Sequence, residues 1–461
     1  MLQEFQRRLS VERLLEPGAS VIIAFSGGPD SSCLLHLLTL SGCDVTAAHL
    51  VHGLREEAER EAELCRAFAL KHGARFEKGC ADVRAIAEQD GIGLEEAGRK
   101  ARYSFFAAVH KKIGAPVATA HTLDDHVETI LMNLARGSGA RGLSGIPMRR
   151  DYVIRPLLWV RRSETQEYCR EHGLLILSDP ANEDLQFARN RVRKFVIPGF
   201  EQIRFGAAEA AARSARILSE EDALLDALAE DALAACMRRR GGALDFVCDG
   251  LYLELRVEPL KAAPTALLRR VVRIAARRFD VDLDWTLTDI VTTAIQSGDK
   301  ASVAVEGAPV RVLVGERTLR VVRDEATVDY EVEVEAGGSV PLPRLGGRLG
   351  AGVLPGEMLP DGSRLTAWLD ADSIVGALVV RAARSEDELV PVGDTRRRRA
   401  FELLENAGLP LKARRRCPIV CDDEGPVWVP ECATASRVQV TPATKRTLRL
   451  RLEPDSTDGT V

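Results

Sequence analysis

The sequence has no CxxC pair, and its ten cysteines are spread thinly over 461 residues. Such dilution excludes a disulfide framework and fits reduced thiols, so the expected location is the cytoplasm. Histidine is confined as well: all eight lie at or before His172. Everything beyond that point lacks a histidine ligand, and the C-terminal regions therefore read as binding modules more readily than as catalytic ones. Cys417, Cys421 and Cys432, three thiols with no histidine nearby, are expected to be buried or incidental, not a zinc site. No apolar run approaches the length of a membrane span, and residues 1–20 mix both charge signs without an apolar core segment. Neither membrane insertion nor export is expected. A general basic excess is missing too, since the net charge is −5, which leaves only local basic patches to consider.

What is present is ordinary for a globular protein: 46% apolar and 28% charged residues on a chain too long for one core. The first two hundred residues alternate short apolar strands (21–25, 45–50, 74–79 and 116–120) with helical patterns (31–40, 56–72 and 122–135). This alternation predicts an α/β fold built on a parallel sheet covered on both faces. The expected division is 1–206 for that domain, 207–240 for a helical connector, 241–325 for a small α+β unit and 326–461 for a strand-rich C-terminal domain. Glycine and proline crowd 337–363, marking turns near the start of the last part.

The most specific segment is VIIAFSGGPDSSCLLHLL at 21–38, a strand that runs through a Gly-rich turn directly into a helix. Gly27 and Gly28 permit a tight turn and close approach to an anion. Ser26, Ser31 and Ser32 supply hydroxyls, and the helix N-terminus directs free N–H groups and its dipole at the same point. Asp30 is repelled by phosphate unless a cation sits between them, so it points to Mg²⁺. The GxxxxGK[ST] pattern is absent, which excludes that class of NTPase. For SGG alone, a turn that uses these residues for geometry and capping is an equal reading; for SGGPDSS it is a poor one.

His121, Asp125 and Glu128 open a helix at spacings of four and three, on one face, beside the end of a strand. Two carboxylates there suit Mg²⁺ or an ammonium group, and equally suit the favourable dipole at a helix start. His36 within an apolar helix and His126 on a helix exterior are read as packing residues. GSGARG at 137–142 matches GxGxxG but follows a helix instead of a strand, and is discounted. Basic residues cluster at Arg269, Arg270, Arg273, Arg277 and Arg278, at 396–399, and at Lys412, Arg414, Arg415 and Arg416. These are solvated faces or a nucleic-acid footprint.

SGGPDS after the first strand resembles the PP-loop ATP pyrophosphatase superfamily, whose Rossmann-like domain cleaves ATP between the α and β phosphates. Five further segments are similar, in order and spacing, to tRNA(Ile)-lysidine synthetases: HLVHGLR (49–55), EEAGRKARYSFF (95–106), AHTLDDHVETILMNLARGSGARGLSGIP (120–147), IRPLL (154–158) and SDPANEDLQFARNRVRKFVIP (178–198). The resemblance implies ATP at Ser26, Gly27, Gly28, Pro29, Asp30, Ser31 and Ser32, with Mg²⁺ at Asp30 and Asp125. It implies Asp125 and Glu128 as lysine or metal ligands, His121 as their neighbour, and Arg102 on a substrate phosphate or carboxylate. Arg136 and Arg141 are expected near RNA, and Arg189, Arg191 and Arg193 on tRNA or ATP. The implied partners are tRNA(Ile) with a CAU anticodon and free L-lysine, with a homodimer as one option for assembly. Beyond residue 200 the likeness is weaker. GAPVRVLVGERTLRVV (307–322) lacks the usual Leu-Pro-Gly ahead of it, 385–388 replace the usual Pro-Gly-Asp-Arg, and arginines at 396–399 stand where lysines are usual. A thiolase of the same superfamily is the rival reading, but it needs a CxxC pair or an iron–sulfur cluster to carry sulfur.

Overall fold

The computed structural model describes residues 1–52, 56–177, 185–238, 242–324, 330–342, 345–356 and 362–454. Residues 53–55 of HLVHGLR and 178–184 of the SDPANED segment lie outside the described residues, as does part of the Gly- and Pro-dense 337–363. Two compact units divide the chain, Met1–Leu224 and Leu225–Val461.

The first unit opens with α1 (Leu2–Val11), β1 (Ser20–Ala24), α2 (Pro29–Leu40), β2 (Asp44–His52), α3 (Glu56–Lys71) and β3 (Arg75–Ala81). It continues through α4 (Val83–Asp90), α5 (Leu94–Ile113), β4 (Val117–Ala118), α6 (Leu123–Ala135), α7 (Ala140–Leu143), β5 (Arg149–Arg150), β6 (Val153–Ile154) and α8 (Arg162–Glu171). Its sheet runs in the order β3-β2-β1-β4-β6-β5, with every pairing parallel except that of the edge strand β5. The alternation of side chains along β1 explains why both faces are covered. Val21, Ile23 and Phe25 pack with Leu34, Leu35, Leu37 and Leu38 of α2, whereas Ile22 faces Phe106 and Val109 of α5. Each of these isoleucines is fully buried, worth about 1.5–3 kcal/mol apiece. β4 is shorter than the 116–120 expected, because Thr119 turns its hydroxyl to His121 as the chain leaves the sheet.

The order places β1 between β2 and β4, so the connections after β1 and after β4 leave in opposite directions. The resulting crevice at the carboxyl ends is where open α/β sheets bind ligands. The N-termini of α2 and α6 both open onto it.

α9 (Ala188–Arg191), a π-helical turn at Val192–Val196 and α10 (Ile197–Ile203) follow. α11 (Ala207–Cys236) spans the boundary between the units. In the second unit one antiparallel sheet, Tyr252–Arg256, Thr318–Arg323, Val310–Val314 and Ala301–Ala304 in spatial order, shares a core with helices Thr265–Arg277 and Trp285–Ser297. A separate core lies among strands that include Gly347–Pro355, Val379–Ala382, Pro418–Asp422, Gly425–Val429 and Arg446–Pro454. Cys417 and Cys421 are buried in it. Among the described residues no helix is long and apolar enough to cross a membrane.

Candidate active site

The turn after β1 requires glycine at position 27. Gly27 has φ +77°, and a Cβ there would lie 2.6 Å from Leu177 Cδ1 and 2.7 Å from Cys65 Sγ. Pro29 sits in the first turn of α2, where its missing N–H costs nothing. Ser31 Oγ donates to Gly28 O at 2.9 Å and lies 3.2 Å from Ser26 Oγ, so the hydroxyls converge with the helix N-terminus on one point. Ser32 is buried behind them. Such an arrangement of hydroxyls at a helix N-terminus suits an anion.

Across the crevice, Thr122 caps α6. Asp125 accepts from Thr122 N at 2.9 Å and Thr122 Oγ1 at 2.8 Å, closing a capping box. Its other oxygen faces Arg162 Nη2 at 2.8 Å. One turn on, Glu128 is 0% exposed and accepts from Arg189 Nε and Arg193 Nε at 2.7 Å each, with Arg162 Nη1 at 3.4 Å. Arg162 also reaches Asp30 with Nε at 3.5 Å, and Thr165 donates its hydroxyl to the same carboxylate. A single guanidinium thus joins Asp30, Asp125 and Glu128, three carboxylates brought from two helices.

Burial pushes the Asp30 carboxyl up from its ordinary value, more than Thr165 and Arg162 pull it down. Burial also opposes the charge of Asp125, but Arg162, the Thr122 N–H and Arg189 outweigh it and hold that carboxyl below the usual range. His121 pairs with Thr119 Oγ1 at 2.8 Å, and burial lowers its pKa to about 4 despite the nearby Asp125, so it is neutral at neutral pH.

A PP-loop domain model matches residues 1–200, and a model of the TilS substrate C-terminal domain matches 378–452. The chain is similar to the tRNA(Ile)-lysidine synthase of Geobacillus kaustophilus, 33% identical over 458 residues that cover 93% of this chain and 94% of that one. That of Symbiobacterium thermophilum is 33% identical over 482 residues, 97% of each chain, and that of Geobacter sulfurreducens 31% over 461 residues, 95% and 94%. The chain belongs to the tRNA(Ile)-lysidine synthase family.

Measured against the expectations for this family, the structure brings Asp30, Asp125, Glu128 and the 26–32 loop to one crevice. Arg102 is exposed on α5, where its Nε donates to Gly98 O at 3.3 Å. Arg136 and Arg141 are exposed, and 140–143 forms the one-turn α7. Arg189 and Arg193 are spent on Glu128, while Arg191 Nη1 donates to Leu185 O and Gln186 O at 2.9 and 2.8 Å. His126 is not on a helix exterior as expected. It is buried, and its Nδ1 accepts the Ile146 N–H at 3.0 Å, fastening the 137–147 segment onto α6. Gly145 makes room for it, since a Cβ there would lie 2.6 Å from the imidazole.

Sequence reasoning missed Arg162 and Thr165 on α8. The segment WVRRSETQEY reads as a solvated helix start, and nothing in it signals that Arg162 turns inward while Arg161 pairs with Glu201 and Glu209.

Mg²⁺ fits this donor set in one specific sense. Asp30 and Asp125 already converge on one cationic group, and Mg²⁺ commonly takes one or two carboxylates with phosphate oxygens and water completing its shell. Among the described residues no cluster of three or more His, Cys, Asp or Glu is arranged to cage a metal.

Proposed function

We propose that this chain ligates free L-lysine to C2 of the wobble cytidine of tRNA(Ile) with the CAU anticodon, in the cytoplasm, at the expense of ATP. The observation that carries the reading is the convergence of the phosphate nest at α2 with the Asp30–Arg162–Asp125–Glu128 cluster at α6.

ATP lies with its phosphates at Ser26, Gly27, Gly28, Pro29, Asp30, Ser31 and Ser32. Cytidine O2 attacks the α-phosphorus and pyrophosphate leaves. The lysine ε-amine then attacks C2 of the adenylated base, AMP leaves, and the tRNA reads AUA instead of AUG. Mg²⁺, when bound at Asp30 and Asp125, supplies neutralisation of phosphate charge. The helix N-terminus and the serine hydroxyls stabilise the charge that builds at the α-phosphate without reorganising. Asp125 and Glu128 balance the lysine ammonium, with Arg162 occupying that cationic position before lysine arrives. His121 adds a neutral neighbour, and Arg102 reaches a substrate phosphate or carboxylate. Residues 241–325 and 326–461 bind the tRNA body.

The test is incorporation of ¹⁴C-lysine into unmodified tRNA(Ile) with ATP, giving AMP and pyrophosphate in equal amounts. Sulfur transfer, or AMP formation with no lysine entering the tRNA, refutes the reading.

A further inference from the structure

Around and beyond the arginines that grip Glu128, the chain displays apolar side chains, three phenylalanine rings among them, to solvent. Phe195 is 59% exposed, Ile203 82% and Phe205 98%, and Phe187 and Val196 are exposed as well. A single exposed ring is ordinary, but several exposed apolar side chains within one short segment mark an interaction surface. These rings are held in place. The π-helical turn that carries Phe195 also carries Arg193, which is hydrogen-bonded to Glu128. Phe205 lies in the turn between α10 and α11. Glu201 fixes that turn by accepting the N–H groups of Gly206, Ala207 and Ala208 at 3.0, 3.3 and 3.1 Å, and by pairing with Arg161 at 2.7 Å. Arg161 adjoins Arg162 in sequence, so both ends of the aromatic segment are tied to the residues that assemble the crevice.

Charge selects the partner. Residues 185–206 contain five basic side chains, Arg189, Arg191, Arg193, Lys194 and Arg204, against the single acid Glu201. Glu128 engages two of these arginines and Glu201 is engaged by Arg161, and Arg191, Lys194 and Arg204 are exposed cations of the same segment. Lys194 Nζ lies 5.9 Å from the centre of the Phe195 ring. Exposed aromatics interleaved with cations suit unpaired bases, which stack on rings while their phosphates meet the charges.

We propose that Phe195 and Phe205 are stacking platforms for unpaired anticodon-loop nucleotides that flank the reacting base, and that Lys194 and Arg204 hold the adjoining phosphates. The inference rests on the lysidine reading and names a surface for its RNA substrate. The segment works as a positioning surface: it orients the loop so that one base enters the crevice.

The experiment measures binding of the full chain to an unmodified tRNA(Ile) anticodon stem-loop carrying 2-aminopurine next to the wobble position. Phe195→Ala and Phe205→Ala should each weaken binding about 5-fold or more, as loss of one stacked base does, and should relieve the fluorescence quench. Phe195→Tyr and Phe205→Tyr should restore both readouts, and ATP binding should stay at the wild-type level in all four variants. Wild-type affinity and quench in the alanine variants overturn the proposal. So does a loss of affinity that accompanies a change in oligomeric state by light scattering, since the patch then belongs to contact between copies of the chain. Wild-type protein that binds the stem-loop but attaches no lysine refutes the reaction and leaves the variants to decide the surface.

Discussion

Glu128→Ala removes the carboxylate on which three arginines converge, and its cost is calculable from the contacts. Glu128 has no exposed surface, and its two oxygens accept four guanidinium N–H bonds, two at 2.7 Å and two at 3.3 and 3.4 Å. Deleting one partner of a buried ion pair costs about 3–5 kcal/mol, because the survivor is left buried and uncompensated. The low end applies here. The Arg189 and Arg193 side chains are 37% and 31% exposed and can turn to water, while Arg162 keeps Asp30 and Asp125. A loss of about 3 kcal/mol lowers the melting temperature of a unit of this size by about 6–12 °C, read in the calorimetric transition of the first unit. Glu128→Gln should fall between, since its amide keeps one acceptor and turns an NH2 toward arginine donors. The lysine KM should rise more than the ATP KM. A Glu128→Ala transition within 1 °C of wild type would refute the reasoning, because it would mean that the arginines do not depend on this carboxylate.

Asp30→Asn should abolish AMP formation while the first unit stays folded. Burial raises the folded carboxyl, so its contribution to stability diminishes as pH rises through the folded pKa; a variant that still forms AMP at the wild-type rate removes Asp30 from the reaction. His126 works in the opposite sense: burial lowers its pKa from 6.5 to about 4, so its contribution is present above about 6.5 and lost as pH falls toward 4. His121 titrates in the same window and burial also lowers His36, His49 and His72, so His126→Asn should reduce the summed slope by up to about 1.4 kcal/mol per pH unit in urea titrations from pH 7 to 4.5 without abolishing it. Replacing the four arginines at 396–399 by alanine should weaken tRNA binding and flatten its salt dependence by about 0.7–0.9 in log–log slope per lost phosphate contact, with ATP binding unchanged; an unaltered slope assigns those arginines to the solvated surface alone.

The Gly-rich turn and the paired carboxylates were legible as geometry because what shapes them is local. Two glycines between a strand and a helix, and acids at i and i+3 on a helix start, constrain geometry within a few residues. Arg162 was not legible, because its function depends on the sheet order that brings α8 against α2. Thr165 bonds to Asp30 across 135 residues, and no pattern within WVRRSETQEY encodes that neighbour. Arg189 and Arg193 failed to show their role for the opposite reason. Their sequence surroundings are basic, so phosphate is the default partner, and the glutamate that claims them lies 61 and 65 residues away. His126 was misplaced because α6 is apolar on more than one side: Ile146, from the segment after it, covers the face taken to be exposed.

These cases separate two kinds of basic residue that composition cannot tell apart. Asp30, Asp125 and Glu128 carry three formal negative charges, and Arg162, Arg189 and Arg193 carry three positive ones. That balance is what lets the cluster be buried at all, since an unmatched charge there would be prohibitively costly. Among the described residues, the arginines near 396–399 form exposed pairs, Arg398 with Asp394 at 3.3 Å and Arg399 with Glu388 at 3.4 Å. Exposed pairs of this kind are worth about 0–1 kcal/mol and are readily exchanged for a phosphate. Removing a basic residue of the first kind should therefore damage the crevice and spare the electrostatic reach for RNA, and removing one of the second kind should do the reverse. The distinction rests on burial and partner, which the fold supplies, and not on the residue type, which is the same in both places.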